Sequence, residues 1–501
     1  MKTTRTQYFI ATALLAALAF GAGRTSAQTR SDEQTPETLT TRIGELKYEF
    51  GFPTKETSQK LYDEMDFQRA CQAYMWSFPA VSFASIKAGL FRDLGATYND
   101  VVLYQDFLDT KSIYLTGNNQ TIYAGVQIGL AKDGPVVVEV PAGPTAGVLA
   151  DLWFETSGVG RLGPDKGQGG KYLLVPPGYK GELPTKGYFI TPFKTMDANL
   201  FIRGIVIKGD VAGAADMIAK TRLYPYSERA NPKPNRVLRV TGKYVNTDEP
   251  EGLAYWKLLS EVINNNPVAE RDRFFMAMLK PLGIEKGRAF APDARQQRIL
   301  EEGARLGHAM AQTTSYESRL AASPAYPGKH WVNVLVLNTM QKTEQESEYY
   351  SQLDERLNYF YLGTWPAEAM NLPFPSKGQR YLESFKDKDG NWLDGSKNYK
   401  LHVPANVPAE EFWAIIVYDN LTRSMTMNKA NHASISSYDK LTFNADGSAD
   451  LYFGPKAPAG LESNWVDTSA SKGWFVWFRF YGPKEPFFNK TWELPDFEKV
   501  K

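Results

Sequence analysis

Residues 474–481 read W-F-V-W-F-R-F-Y, an aromatic and β-branched run closed by Gly482-Pro483. Such a run suits a strand covered on both faces, and that requirement constrains the rest of the chain. Arg479 inside it must reach water or meet a partner, because an unpaired buried guanidinium is unfavourable. Asp419 is the partner expected from the sequence. The hairpin signal Asp446-Gly447 and the closing Gly454-Pro455 frame a second run just upstream. A weaker copy lies at K-Y-L-L-V-P-P-G from Lys171 and K-G-Y-F-I-T-P-F from Lys186.

In chain order, a helix is expected from Thr57 until Pro79 interrupts it, with Cys71 on its apolar side as a buried small hydrophobe. From Asp100 to Lys208, short β-type runs separated by Asn, Gly and Pro predict a sandwich or barrel rather than βαβ units. Helices are predicted over 210–223, 251–263, 268–279 and 293–313, with Asp293 near the start of the last. A strand is plausible over 331–337, residues 343–360 have no assignment, and strands resume near Tyr381. The second series parallels the first, with Val403-Pro404 and Asp419 standing where Val140-Pro141 and Asp151 stand upstream. The expected class is therefore β-rich α+β: two antiparallel β-sandwich, jelly-roll-like domains with an N-terminal helix and a central helical insert. The expected boundaries are a signal peptide at 1–27, a mobile lead-in at 28–55, and an N-terminal helix plus first sandwich at 56–235. The helical insert then takes 236–330 and the second sandwich 331–501.

Lys2 and Arg5, the apolar stretch 9–22 and Thr25-Ser26-Ala27 form a secretory pattern, cut after Ala27. The apolar run is shorter than the roughly 20 residues of a membrane span, and no other stretch reaches that length. The expectation is a periplasmic or secreted chain with no membrane span after cleavage. Removing 1–27 takes away three basic residues and no acids, leaving 54 basic against 56 acidic. That near-neutral balance has no electrostatic footprint for nucleic acid. With Cys71 the only cysteine, no internal disulfide can form.

Several motifs fail on mechanism. G-V-G-R-L-G at Gly158 is followed by Pro164 and a glycine run, so no helix N-terminus is expected to receive a pyrophosphate, and a flexible loop is read there. Lys171 after Gly170 lacks the P-loop glycine and the Ser or Thr. D-K-D-G-N-W-L-D at Asp387 has its glycine fourth rather than sixth, which favours two hairpin turns over a calcium loop. None of His308, His330, His402 and His432 has zinc-helix spacing, and no G-x-S-x-G elbow exists. Neither a metal nor a cofactor is expected.

The chain resembles two families catalogued as domains of unknown function 1254 and 1214. The first resemblance rests on N-N-Q-T-I-Y at Asn118, G-P-V-V-V-E-V-P at Gly134, L-A-D-L-W at Leu149 and K-Y-L-L-V-P-P-G-Y at Lys171. The second rests on D-G-N-W-L-D-G-S at Asp389, V-Y-D-N-L-T-R-S-M at Val417, D-G-S at Asp446, N-W at Asn464 and R-F-Y-G-P at Arg479. The resemblance implies a pair of β-sandwiches in a commonly exported bacterial protein, and no activity.

Candidate ligand-binding residues are Tyr418, Arg423, Asn428, Asn464, Trp465, Arg479 and Tyr481, with Trp153 and Arg203 as counterparts in the first domain. Trp465 could stack on a ring while Arg and Asp hydrogen-bond polar groups. Candidate catalytic residues are Asp419, Asp151 and His432. The leading expectation is a binder of a polar small molecule or glycan. A carboxylate-dependent hydrolase or lyase and an envelope structural or interaction protein are the alternatives, and a homo-oligomer is compatible with each.

Overall fold

A computed structural model describes residues 37–336 and 350–500. The expected signal peptide at 1–27 lies outside the described residues. The described residues fall into two compact units divided between Glu64 and Met65. In the first, Thr38–Thr41, Gly44–Glu49 and Phe52–Pro53 pair as a three-stranded antiparallel sheet, where the sequence reading expects only a lead-in.

The second unit is β-rich α+β. A six-stranded sheet runs in the order Val237–Arg239, Val101–Tyr104, Ile122–Gly129, Asp197–Gly204, Thr145–Asp151, Thr156–Gly160. A four-stranded sheet runs Phe189–Pro192, Gly170–Val175, Val136–Val140, Arg222–Pro225. Later in the chain, a five-stranded sheet runs Trp331–Asn333, Gln379–Ser384, Trp474–Pro483, Ala409–Asp419, Ser434–Ser436. A further four-stranded sheet runs Trp465–Val466, Ala449–Phe453, Asn398–Val403, Glu498–Val500. Parallel pairs occur at Val237–Arg239 with Val101–Tyr104, at Phe189–Pro192 with Gly170–Val175 and at Trp465–Val466 with Ala449–Phe453. Three of these sheets therefore carry a parallel edge, one formed by a distant segment and two by a segment that soon loops back alongside its predecessor.

Three local expectations are corrected. The Lys55–Leu94 helix passes through Pro79. Pro79 has no N–H for the Met75 carbonyl, but the turn is held by its neighbours. The Tyr255 hydroxyl donates to the Tyr74 carbonyl at 3.0 Å, and Ser77 Oγ donates to it at 3.2 Å. Burial of Phe78, Ala80, Val81 and Phe83 then outweighs the break. Gly158 lies in the Thr156–Gly160 strand rather than a loop, paired with Thr145–Asp151, and no helix follows it. Arg222–Pro225 is a strand rather than a helix end, since Leu223 and Tyr224 pack into the four-stranded sheet.

Strand periodicity decides what each sheet buries. In the six-stranded sheet Val101, Leu103, Ile122, Ala124, Val126, Leu200 and Ile202 share a core with Val136, Val138, Tyr172 and Leu174 of the four-stranded sheet. In the five-stranded sheet Leu382, Ile415, Val417, Val476, Phe478 and Phe480 share one with Leu401, Val403, Leu451 and Phe453. The alternate positions of both sheets point the other way. They meet the helices in an interior containing Tyr74, Phe83, Trp256, Tyr361 and Phe475. The Ala294–Tyr316 helix, capped by Asp293 and Gln296 in a capping box, packs there through glycines. A Cβ at Gly303 would lie 2.5 Å from Ala70 Cβ, and one at Gly307 2.7 Å from Tyr74 Cβ.

Candidate functional site

Tyr123, Gly125, Gln127, Phe201 and Arg203 occupy those alternate positions in the six-stranded sheet, with Arg203 opposite Tyr123 and Phe201 opposite Gly125. Gln379, Tyr381, Trp477 and Arg479 do so in the five-stranded sheet, with Tyr381 opposite Arg479. All nine line one cavity, closed by Tyr104, Tyr114 and the segment around Trp365. The volume open to the centre of a water molecule is ≈ 140 Å³. At about 10–15 Å³ per water this holds on the order of ten non-hydrogen atoms.

The walls are aromatic. Trp365 stacks on Phe201 with centroids 4.2 Å apart and rings 4° from parallel, and Phe201 stacks on Tyr123 at 4.8 Å. Trp365 Nε1 donates to Asn199 Oδ1 at 2.9 Å, which fixes the indole. Gly125 leaves a gap in this wall: a Cβ there would meet nothing within 4 Å.

The charge is positive. Arg479 is 5 % exposed, and its Nη2 donates to the Thr116 carbonyl at 2.9 Å and to the Tyr418 hydroxyl at 2.7 Å. Its Nε is buried without a hydrogen-bond partner among the described residues. The guanidinium also lies over the rings of Trp477 and Tyr381, at 5.1 and 5.2 Å. Burial opposes its charge, yet the surrounding phenols of Tyr418, Tyr481 and Tyr381 hold it firmly protonated. Burial lifts the Tyr381 and Tyr418 phenols to about 12 against the pull of Arg479, so both stay neutral donors. Arg203 also pulls on Tyr381 and Tyr481 and forms no hydrogen bond or ion pair with a described residue. Among the described residues no Asp or Glu lines the cavity. Glu383, on the same strand face, accepts from Trp477 Nε1 at 2.7 Å, and burial raises it to about 8, so it does not offset the arginines at neutral pH.

Two lining residues depart from ordinary backbone. Thr116 has φ 41° and Trp365 φ 44°, a region that L-residues enter at about 1–3 kcal/mol. Thr116 is held by Oγ1 donating to the Leu362 carbonyl at 2.8 Å and by its N–H donating to the Arg423 carbonyl at 2.7 Å.

Of the residues singled out in the sequence, Arg479 and Arg203 line the cavity, while Tyr418 and Tyr481 lie beside Arg479 without lining it. Asn118 Nδ2 bridges the Tyr123 and Tyr481 hydroxyls at 2.8 and 3.0 Å. Asp419 is not the partner of Arg479: its Oδ1 accepts from the N–H groups of Leu421 and Thr422 and holds a turn. Arg423 is buried elsewhere, paired with Glu249 at 2.9 Å and near Asp248 at 3.9 Å. Asn428 Nδ2 donates to the His432 and Asp467 carbonyls, and the His432 side chain is exposed. Asn464 Nδ2 donates to the Thr442 and Asp450 carbonyls, and Trp465 Nε1 to the Gly454 carbonyl. Trp153 packs against Trp76 and under Arg271. Asp151 accepts from the N–H groups of Trp153 and Glu155, and burial with Glu155 nearby raises it to about 7. The sequence reading missed Tyr123, Phe201, Trp365 and Tyr381. The available signal was alternation: Tyr123-Ala124-Gly125-Val126-Gln127 places aliphatics on one face and a ring, a gap and an amide on the other.

Among the described residues no group of His, Cys, Asp or Glu could hold a metal ion, and no helix is long and apolar enough to cross a membrane.

Similarity to known proteins follows the two regions. No curated protein matches the chain. The structure is similar to that of VPA0106 from Vibrio parahaemolyticus, with TM-score 0.54 and 17% identity, covering 87% of this chain and 100% of that one. It also aligns with an uncharacterized protein from Burkholderia cenocepacia at TM-score 0.38 and 12% identity, over 89% of this chain and 98% of that one. Residues 98–225 match the family described as Protein of unknown function (DUF1254), and residues 378–485 match Protein of unknown function (DUF1214). The chain thus carries an N-terminal DUF1254 region followed by a C-terminal DUF1214 region.

Proposed function

We propose that this protein binds a polar small molecule inside the cavity lined by its two β-rich regions. The observation that carries the reading is convergence. Two sheets, far apart in sequence, turn their alternate positions onto one cavity walled by rings and two guanidinium groups. The strained Thr116 and Trp365 at its edge add support, since such strain persists where function requires it. A compact molecule suits a cavity of ≈ 140 Å³ better than a glycan, and Gln127 Oε1, without a hydrogen-bond partner among the described residues, adds one acceptor to the lining. The alternative of a carboxylate-dependent hydrolase or lyase has the raised Asp151 carboxyl in its favour, but Asp151 and Asp419 do not line the cavity. An envelope structural or interaction role, as a homo-oligomer, remains the third reading.

The same proposal takes each β-rich region as a jelly-roll-like sandwich, within 56–235 and 331–501, joined through the helical segment 236–330. Lys2, Arg5, the apolar stretch 9–22 and Ala27 support export to the periplasm or beyond. A thermal-shift screen of small polar organic molecules tests the binding reading. A ligand at a hundred times its dissociation constant stabilises by about 2.7 kcal/mol. Hits should raise the melting temperature of the native chain and leave that of Gly125→Leu, which fills the cavity, unmoved. Hits that shift both equally would place binding elsewhere.

A further inference from the structure

Arg479 is a cation with unspent donors. Nη2 is satisfied by Thr116 and Tyr418, while Nε has no partner and no carboxylate pairs with the group among the described residues. A buried charge without a counter-charge is unfavourable. The cation–π contacts and phenols around it hold it in place but do not neutralise it. Arg203, lining the same cavity, doubles the charge and has no hydrogen-bond or ion-pair partner among the described residues. The Tyr123 hydroxyl accepts from Asn118, and no described residue accepts its proton in turn. Arginine forks and a phenol are the donor set that a carboxylate head accepts from. The remaining wall is mainly the ring stack, aliphatic side chains such as Ile86, Val148 and Leu200, and the open space over Gly125, with the Gln127 amide as its polar exception, which suits a mostly apolar body.

We propose that the occupant is a small carboxylic acid, its carboxylate held by Arg479, Arg203 and the Tyr123 hydroxyl, its apolar body lying along Phe201 and Trp365 beside Gly125. This deepens the binding reading and rests on it. The acid is compact, since the cavity holds on the order of ten non-hydrogen atoms. Binding brings in the anion that the two arginines lack, so the charge of the head is worth more here than in an exposed site.

The test uses matched probes on the full chain by isothermal titration calorimetry: 3-phenylpropanoate, 3-phenylpropan-1-ol, 3-phenylpropylammonium and inorganic phosphate. The native chain should take the carboxylate at least tenfold more tightly than the alcohol, and should take neither the ammonium nor phosphate measurably. Arg203→Gln should weaken the carboxylate about tenfold and leave the alcohol unchanged. Gly125→Leu should abolish binding of both. If the alcohol binds as tightly as the acid while Gly125→Leu still abolishes both, the cavity is a ligand site and the acid assignment is wrong. If phosphate binds as well as the acid, the apolar body has no role and the assignment is equally wrong. If the carboxylate does not bind, or binds to Gly125→Leu as to the native chain, the site reading itself falls. Should Arg203→Gln not fold, the comparison of acid with alcohol on the native chain still decides.

Discussion

Arg423 and Arg479 are both buried guanidinium groups, yet only Arg423 meets carboxylates. Their substitution should therefore differ in size of consequence. Arg423→Met leaves Glu249, 4 % exposed at its side chain, as an uncompensated buried charge, and should lose about 3–5 kcal/mol in urea unfolding. Arg479→Met removes a charge that has no counter-charge, and should change stability by less than about 1.5 kcal/mol while abolishing carboxylate binding. Equal losses in the two variants would mean that Arg479 is structural. Glu383 gives a pH signature. Burial raises its carboxyl from 4.5 to about 8, so between those values the folded chain keeps a proton that the unfolded chain has lost. Stability must then fall as pH rises through that window. Glu383→Gln should flatten this slope, by on the order of a few kcal/mol between pH 5 and 8, in unfolding measured across pH. At this scale the sequence showed that Arg479 needs a partner. It could not name one, because Thr116, which supplies the carbonyl, is brought in from a distant strand end.

At the scale of elements, the tight crossing of the Ala294–Tyr316 helix reverses an ordinary expectation. Gly→Ala in an exposed helix stabilises by about 1 kcal/mol. Here the new Cβ at Gly303 or Gly307 would lie 2.5 or 2.7 Å from a Cβ of the Lys55–Leu94 helix. Gly307→Ala should therefore lower the melting temperature by several degrees; a rise would mean that the helices separate freely. Element positions were largely legible: Val101–Tyr104 and Val136–Val140 were readable to the residue, and Asp293 announced its helix. Helix continuity through Pro79 was not, because burial of Phe78, Ala80, Val81 and Phe83 and the Tyr255 hydroxyl on the neighbouring Tyr74 carbonyl come from contacts far away in sequence. Nor was the parallel edge at Val237–Arg239, whose partner Val101–Tyr104 is set by long-range return of the chain rather than by local pattern.

For the second unit as a whole, one interior includes Tyr74, Tyr104, Trp256, Tyr361 and Phe475, drawn from the helices and both β-rich regions. It should unfold in one cooperative step. All 11 tryptophans lie from Trp76 onward, so their fluorescence reports this unit alone. Melting followed by tryptophan fluorescence and by near-ultraviolet circular dichroism should coincide; two separated transitions would show independent regions. What the sequence could not reveal at this scale was the cavity, since its two walls are patterned on strands roughly 280 residues apart and only the tertiary fold apposes them. The division of labour between strand faces has an evolutionary consequence. Positions such as 125, 203 and 381 can mutate one at a time, retuning what is held, while the aliphatic layers behind them stay untouched. Loss of a single residue within 474–483 is a different event, for it would swap Arg479 with the phenylalanines beside it and erase the scaffold and the recognition surface together.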